Sequence, residues 1–492
     1  MFKWGLTMTT KITNQQINSA IPTDSTAVVL GLTALNANTT GVANTAIGYQ
    51  ALLVNDVGEQ NTAVGYQSLY SAKNYLNPFY PVPDPNPANQ YLETSGNVAV
   101  GYKAGYAVQG GNYNIAIGHE AIGIYTAYGA GPYGPAQGSG NIAIGSSAMA
   151  KNYTGEQNVA IGGGGVMNYN SSGSNNVAMG WMAMLGDSVN SSVGSDNVAI
   201  GAQALYSQQG GYQNTALGSE SLKTLTTGDN NTGVGYRALN LLTTGADNAC
   251  LGESSLLSVT SGVGNVAVGT DAGKAITDGV YNTIIGFNAV SNGLPTGASG
   301  TSNAAVGSAA LALMTTGSYN SVLGAEAGAS LTTGFGNTIL GGYTAAGSIA
   351  PVFNVTTENN RVVVGTTSTT NAYVQVAWTV VSDQRDKTDI DDIGYGLDFV
   401  QKLRPVKFKR DNRSRYENGV PDGTQKDKKY TLGFLAQNVA EAETDLGASD
   451  LLIVDDEKPD NLKLVETSMI PVLVKALQEL KAEFDTYKAA HP

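Results

Sequence analysis

The stretch NTAIGYQALLVNDVGEQNTAVG (44–65) contains two copies of one pattern, an asparagine followed by three apolar or small residues and a glycine. The two asparagines, Asn44 and Asn61, are 17 residues apart. The pattern occurs sixteen times up to Gly341, and ten of the fifteen intervals are 17 residues. A fixed period of this kind is typical of a repeat protein in which every repeat contributes one structural unit.

A 17-residue unit is too short for a helical hairpin and fits one coil of a parallel β-solenoid with two short strands. In NVAVG (97–101), strand alternation places Val98 and Val100 on one face and small residues on the other, as expected for a coil interior packed against a close neighbour. Stacked asparagines are expected to form hydrogen-bonded ladders between coils. Because a thin coil rich in Ala and Gly buries little, we expect three chains to share the core of a shaft spanning 26–345.

Two intervals of the repeat are long, with insertions near 71–93 and 121–139. Insertions in a solenoid leave it on one side, and rigid aromatic side chains lose little entropy on binding. The insertions are therefore candidate receptor loops for a host surface glycan or protein receptor, although they could also pack on the shaft or on a neighbouring chain. Their candidate contact residues are Phe79, Tyr80, Tyr91, Tyr125, Tyr128 and Tyr133.

The composition changes near Ser382. Of the charged residues, 26 lie before position 381 and 39 lie in the last 112 residues, whereas only six of the 62 glycines follow position 380. We expect a separate α+β domain over 382–492. A β neck over 346–381 should precede it, because RVVVG (361–365) and AYVQVAWTVV (372–381) are rich in Val and aromatics.

The two ends of the chain are expected to make contacts with other chains. Residues 1–25 are polar and carry no repeat, which suits either a segment that docks on a larger assembly or a frayed terminus. Near the C-terminus, apolar residues at alternating spacings of three and four predict the seam of a short trimeric coiled coil, with a helix docked on its own domain as the alternative. The seam residues are Ile470, Leu473, Leu477, Leu480, Phe484 and Tyr487.

Several classes of function are disfavoured. The net charge of −13 argues against a nucleic-acid partner, and no run of 18 apolar residues predicts membrane insertion. The N-terminus lacks the apolar stretch of a secretory signal, so classical export is not expected. With two His and one Cys, Cys250, we expect no metal and no cofactor. Acidic residues that follow the repeat asparagine by six positions are expected at solvated coil corners rather than in a calcium array; they include Glu120, Glu220, Asp271 and Glu326.

Four ordered motifs in the last part of the chain carry a resemblance to a known family: VVSDQRDKTDI (380–390), LRPVKFKR (403–410), YTLGFLAQNVAEA (430–442) and IPVLVKALQEL (470–480). Together they resemble the intramolecular-chaperone, self-cleaving domain at the C-terminus of phage tail fibres and tailspikes, the endosialidase-type auto-processing peptidases. The repeats also resemble the heads of trimeric autotransporter adhesins and the shafts of phage fibres.

The resemblance implies a trimer whose C-terminal domain templates folding of the shaft and then cuts itself off. It places the scissile bond between Val381 and Ser382, with Ser382 as nucleophile and Lys387 as base. A lysine is a reasonable base for a serine in a chain with so few histidines. Asp383 and Arg385 match the motif and are expected to hold the loop in shape. The family usually has an apolar residue where this chain has Asp386, which favours a charged Lys387, so a loop that does not cut is the alternative.

The repeats and the resemblance together predict a homotrimeric phage tail fibre that acts in host attachment. It would assemble in the host cytoplasm, reside in the virion and bind a tail or baseplate protein through its N-terminus. One alternative is a trimeric cell-surface adhesin, which needs an export signal and a membrane anchor. Another is a tailspike that degrades polysaccharide, which needs paired carboxylates that the shaft does not cluster.

Overall fold

The computed structural model describes residues 26–72, 75–76, 91–92, 94–123, 138–187, 194–291, 299–342, 351–367, 369, 371–375, 379–413, 416, 419–448, 451, 453–457 and 459–491. The chain divides into two compact units, 1–368 and 369–492. The predicted attachment segment, 1–25, lies outside the described residues.

The first unit is a parallel β-solenoid built on one 18-stranded sheet, which confirms the predicted fold class. Each strand pairs in parallel with the next strand of the sheet, and the repeat patterns stay in register even across the long insertions, as where Thr62 pairs with Val98. β-Branched residues are frequent in these strands, as expected for a pleated surface. The strands are β1 (Val28–Leu30), β2 (Thr45–Ile47), β3 (Thr62–Val64), β6 (Val98–Val100), β7 (Ile115–Ile117), β8 (Ile142–Ile144), β9 (Val159–Ile161), β10 (Val177–Met179), β11 (Val198–Ile200), β12 (Thr215–Leu217), β13 (Thr232–Val234), β14 (Ala249–Leu251), β15 (Val266–Val268), β16 (Thr283–Ile285), β17 (Ala304–Val306), β18 (Ser321–Leu323), β19 (Thr338–Leu340) and β20 (Val362–Val364). In the first insertion, β4 (Tyr75–Leu76) and β5 (Tyr91–Leu92) form a separate antiparallel pair.

The interior of most coils is filled by a small middle residue of the strand and by a large apolar residue of the turn, while Ile284, Val322 and Ile339 are larger buried strand residues in later coils. In β12, for example, Ala216 is fully buried whereas Leu217 is 44% exposed. The turn of the same coil contributes Leu222, which is also fully buried. The small face of the strand therefore lines the coil, and its bulky face points outward.

The second half of each described coil forms turns rather than the second strand that the 17-residue period suggested. Glu220 and Leu222 both have left-handed backbone angles, with φ of 57° and 50°. A strand cannot continue through such residues, yet the segment still bonds to its neighbour, since Leu222 N donates to Ala238 O at 2.9 Å. Turns of this kind close the coil within a few residues and aim the leucine inward.

The predicted asparagine ladder runs along the solenoid from Asn44 to Asn337, and we call its members the ladder asparagines. Asn248 is representative: its backbone N and its Nδ2 donate to Oδ1 of Asn231 at 3.2 and 3.0 Å, and its Nδ2 also donates to Gly262 O at 2.8 Å. The side chain of Asn248 is fully buried. Each asparagine thus satisfies backbone groups that would otherwise be buried without partners.

The glycine that ends each repeat pattern is needed because neighbouring coils touch there. Gly218 has φ of +138°, which L side chains rarely adopt. A Cβ at this position would also overlap the carbonyl group of Gly235 in the next coil.

The segment predicted as a β neck behaves in two ways. RVVVG forms β20, which pairs with β19 as the last strand of the solenoid. The second predicted strand, 372–381, is not a strand over its described residues 372–375 and 379–381. Tyr373, Val380 and Val381 are 92%, 82% and 85% exposed, so this segment has no partner strand within the described chain.

The second unit is a small α+β domain. Its helices are α1 (Leu397–Lys402), α2 (Ala436–Asp445) and α3 (Met469–Ala490), and its strand pairs are β21 (Val406–Phe408) with β22 (Thr431–Gly433) and β23 (Val454–Asp455) with β24 (Lys463–Leu464), both antiparallel. Short 3-10 turns lie at Gln384–Asp386, Pro459–Asn461 and Glu466–Ser468. The hydrophobic core of this domain is one buried cluster that includes Phe399 of α1, Val439 of α2 and Val472 of α3.

Candidate functional site

The predicted dyad residues lie next to each other. Nζ of Lys387 donates to Oγ of Ser382 at 2.6 Å and to the carbonyl oxygen of Ser382 at 3.2 Å. Residues five apart meet because the 3-10 turn Gln384–Asp386 folds the chain back, and Lys387 N closes that turn on Gln384 O at 3.1 Å. A hydroxyl within hydrogen-bond reach of an amine is the geometry needed for base-assisted attack by a serine.

Asp383 and Arg385 fix the shape of this turn. Asp383 caps the turn by accepting from Arg385 N at 2.9 Å, and Nη2 of Arg385 lies 2.6 Å from Oδ2 of Asp383. The hydrogen bonds from Arg385 lower the pKa of Asp383, and the same pairing raises the pKa of Arg385. The two side chains therefore neutralise each other and leave the lysine as the group that faces the hydroxyl.

The dyad is open to water in the single chain. Ser382 and Lys387 are both exposed, as is the preceding residue, Val381. A lysine acts as a base only after it loses its proton, and exclusion of water favours that loss. The described part of the chain therefore supplies the geometry of the pair but does not shield it from water.

The residues of the predicted helical seam all lie on the exposed side of α3. Their exposed fractions are 58% for Ile470, 46% for Leu473, 66% for Leu477, 49% for Leu480, 51% for Phe484 and 61% for Tyr487. Another face of the helix carries the buried residues Met469, Val472 and Ala476. Of these, Met469 and Val472 belong to the core of the domain. The helix therefore docks on its own domain and still presents a free apolar seam.

A second apolar surface runs along the solenoid, and we call it the strand stripe. It consists of first and third strand residues whose side chains point away from the coil interior. Examples are Ile117, Leu251 and Leu323, which are 38%, 53% and 55% exposed. Because the strands are parallel and in register, these side chains share one face of the sheet.

Most of the predicted receptor-loop residues lie outside the described residues: Phe79, Tyr80, Tyr125, Tyr128 and Tyr133. Of Tyr91 only the backbone is described, and it belongs to β5. The described shaft does hold a row of aromatic rings that our sequence reasoning missed. Tyr49, Tyr66, Tyr102 and His119 stack in succession, with ring centroids 5.0 to 5.3 Å apart. Their shared offset, five residues after a ladder asparagine, is the signal that could have found them.

Other candidates of the sequence occupy structural positions. Cys250 is buried in β14, and burial raises the pKa of its thiol to about 11. Glu220 pairs with Arg237 at 2.8 Å and Asp271 with Lys274 at 3.0 Å, both at coil corners. Within the described ranges, no group of three or more His, Cys, Asp or Glu is placed to hold a metal. The described helices include none with the length and apolar character needed to cross a membrane.

Comparison with known families gives one match, at the C-terminal end. Residues 382–448 match the family model described as the chaperone of endosialidase, and this range begins at the serine of the dyad. None of the curated proteins matches the chain. The matched domain and the β-solenoid before it fit a tailspike or tail fibre that carries a C-terminal chaperone domain, as the sequence resemblance predicted.

Proposed function

We propose that this protein is a homotrimeric phage tail fibre that attaches the virion to its host, and that its C-terminal domain chaperones the trimer and then cleaves itself off between Val381 and Ser382. The observation that carries the proposal is the contact between Ser382 and Lys387 at the first residues of a chaperone domain that follows a solenoid. Residues 1–25 would bind the phage tail or baseplate, and the solenoid would carry the receptor contacts.

The trimer is supported by two apolar surfaces that are exposed among the described residues. The seam of α3 repeats at the heptad spacing that brings helices of different chains together. The strand stripe exposes about half of side chains such as Leu251 and Leu323 along the solenoid. Contiguous exposed apolar surface of this extent marks an interaction site. Further copies of the chain would cover the strand stripe of the first unit and the seam of the second.

Cleavage would use the hydroxyl of Ser382 against the peptide bond that precedes it. Neutral Nζ of Lys387 takes the proton of Oγ, and Oγ attacks the carbonyl carbon of Val381. The bond from that carbon to the nitrogen of Ser382 then breaks, and the nitrogen takes up the proton as a free amine. The resulting ester between Val381 and Oγ is hydrolysed by water, which frees residues 1–381 from residues 382–492.

Assembly would act as the trigger for this reaction. Both dyad side chains are exposed in the single chain, and a lysine amine surrounded by water does not readily give up its proton. A neighbouring copy laid over the turn would exclude water and favour the neutral amine. Cleavage would therefore report that a trimer has formed.

The test is the intact mass of the full chain on denatured samples, compared with Ser382→Ala and Lys387→Arg. We expect the wild type to split into residues 1–381 and 382–492, and both variants to stay whole, since arginine keeps the charge but does not act as a base. Asp386→Leu should cleave faster than the wild type, because it removes a carboxylate beside the lysine. Native mass spectrometry of the same samples shows how many chains the protein contains. A wild type that stays whole would refute the peptidase role, and a monomer would refute the fibre.

A further inference from the structure

The aromatic row on the N-terminal part of the shaft belongs to a larger cluster. Beside the row of Tyr49, Tyr66, Tyr102 and His119, a second stack joins Tyr70 and Tyr106, with centroids 5.0 Å apart. Nζ of Lys103 lies between the two stacks, 5.4 Å from the ring centroids of both Tyr102 and Tyr106. We call these seven residues the tyrosine cluster.

The stacking distances and the position of Lys103 place these rings and one ammonium group in a single neighbourhood. Burial raises the pKa of the Tyr106 phenol, and so do the nearby phenols of Tyr70, Tyr66 and Tyr102, while Lys103 lowers it. Tyr49, Tyr66 and Tyr102 are 41%, 43% and 43% exposed, so the cluster is open to solvent among the described residues.

The shape of the cluster restricts what can bind it. The inner rings cover one another's faces, so a ligand meets their edges and hydroxyl groups rather than a flat aromatic platform. These hydroxyls repeat at about the spacing of neighbouring strands, roughly 4.8 Å, along the solenoid. A protein partner would need a broader apolar surface than this row supplies. A chain of hydroxylated rings, by contrast, offers donors and acceptors at regular intervals along one line.

We infer that the tyrosine cluster binds a saccharide chain, with the phenol groups hydrogen-bonding to its hydroxyls and Lys103 pairing with an acidic substituent. Tyrosines suit this role because they are rigid and amphipathic and lose little entropy on binding. The position is also favourable, since the two long insertions of the sequence, near 71–93 and 121–139, belong to coils whose aromatic rings are part of the cluster. The inference deepens the proposed function, because it assigns a chemical class to the host receptor.

The chain contains a matched control. Tyr236 and Arg237 hold the repeat positions of Tyr102 and Lys103 in another coil, with the guanidinium carbon 5.1 Å from the ring centroid. They belong to no ring stack in the described chain. The double change Tyr236→Phe and Arg237→Gln therefore alters the same chemistry outside the cluster.

The experiment measures binding of the full-length protein to immobilised oligosaccharides by biolayer interferometry. The probes are hexasaccharides of maltose and cellulose type as neutral sugars, and oligogalacturonate and hyaluronan hexasaccharides as acidic sugars. The test variant combines Tyr66→Phe, Tyr102→Phe and Lys103→Gln, which keeps the ring stack while removing two hydroxyls and the charge. We expect an acidic probe to bind, the test variant to lose affinity about tenfold or more, and the control to bind like the wild type.

Native mass and thermal unfolding of the same samples separate the possible failures. If the wild type is trimeric but binds no probe, or if test and control bind alike, the saccharide inference is wrong while the fibre proposal stands. A test variant that loses the trimer or unfolds at a lower temperature, with no sugar bound by the wild type, would show that a second copy covers the cluster. If the wild type is monomeric, the proposed function itself fails.

Discussion

Replacement of Asn231 by alanine tests whether the asparagine ladder stabilises the solenoid. The side chain of Asn231 is fully buried. Its Oδ1 accepts from Asn248 N at 3.2 Å, and its Nδ2 donates to Gly245 O at 2.9 Å. Alanine leaves that N–H and that carbonyl buried without these partners. At about 1–3 kcal/mol for each group, we expect a local loss of about 2–6 kcal/mol.

Hydrogen exchange of the peptides that span residues 228–252 is the suitable assay, because a repeat protein opens locally and need not unfold in one step. All variants should carry Ser382→Ala, so that they share one covalent structure. A loss of 2–6 kcal/mol accelerates exchange by about thirtyfold to about twenty-thousandfold where local opening limits it. Thr244→Ala is the control, since this side chain is exposed in the same coil and lies outside the strand stripe.

Asn231→Asp provides a second test, because the stability of this variant should depend on pH. Aspartate keeps an acceptor for Asn248 N, but the ionised form has no donor for Gly245 O and is a buried charge. Burial favours the protonated form, which can donate, so the variant should be less stable at pH 7 than at pH 4. The reasoning about the ladder would be refuted if Asn231→Ala exchanged at the rate of the Thr244→Ala control.

Three further outcomes follow from contacts elsewhere in the chain. Gly218→Ala should prevent correct stacking of the coils and lower the thermal unfolding temperature, because Gly218 has φ of +138° and a Cβ there would meet the backbone of Gly235. A Cβ at Gly210 has open space, so the control Gly210→Ala should leave that temperature unchanged. Burial raises the pKa of Glu443 above its ordinary value of 4.5. The folded state therefore holds this proton more tightly than the unfolded state does. As a result, the stability of the fold decreases as the pH rises from the unfolded pKa through the folded pKa. Glu443→Gln should therefore melt higher than the wild type at pH 7 and lose that advantage near pH 4, as measured by circular dichroism. The thiol of Cys250, with its pKa raised to about 11 by burial, should not react with iodoacetamide at pH 8 until the solenoid unfolds, and rapid alkylation of native protein would contradict its buried position.

The residues of the candidate site could be named from the sequence, but the arrangement of their side chains could not. The motif resemblance singled out Ser382 and Lys387, and it named Asp383 and Arg385 as their support. Sequence spacing could not show that the lysine reaches the hydroxyl, since residues five apart share no helical face. The cap of Asp383 on Arg385 N makes the turn that brings the two together. The exposure of the dyad is likewise a tertiary property.

Some features of the shaft could not be predicted from the backbone preferences of its residues. Glutamate and leucine have no preference for left-handed backbone, yet Glu220 and Leu222 adopt it because the turn must close within one coil. The aromatic row was visible only as a repeat offset. Tyr66 and Tyr102 lie 36 residues apart, and their rings stack because the insertion between them leaves the register of the coils unchanged.

The sequence by itself determined the period of the solenoid, the parallel stacking of its coils and the ladder of asparagines. These features depend on contacts between equivalent residues of adjacent repeats, which a one-dimensional pattern already encodes. Only the tertiary structure decided which face of each strand lines the coil. Alternation of residues such as Val98 and Ala99 is compatible with either choice. In most coils a large apolar turn residue such as Leu222 fills the narrow interior and leaves room for a small strand residue such as Ala216, so the bulky strand residues point outward.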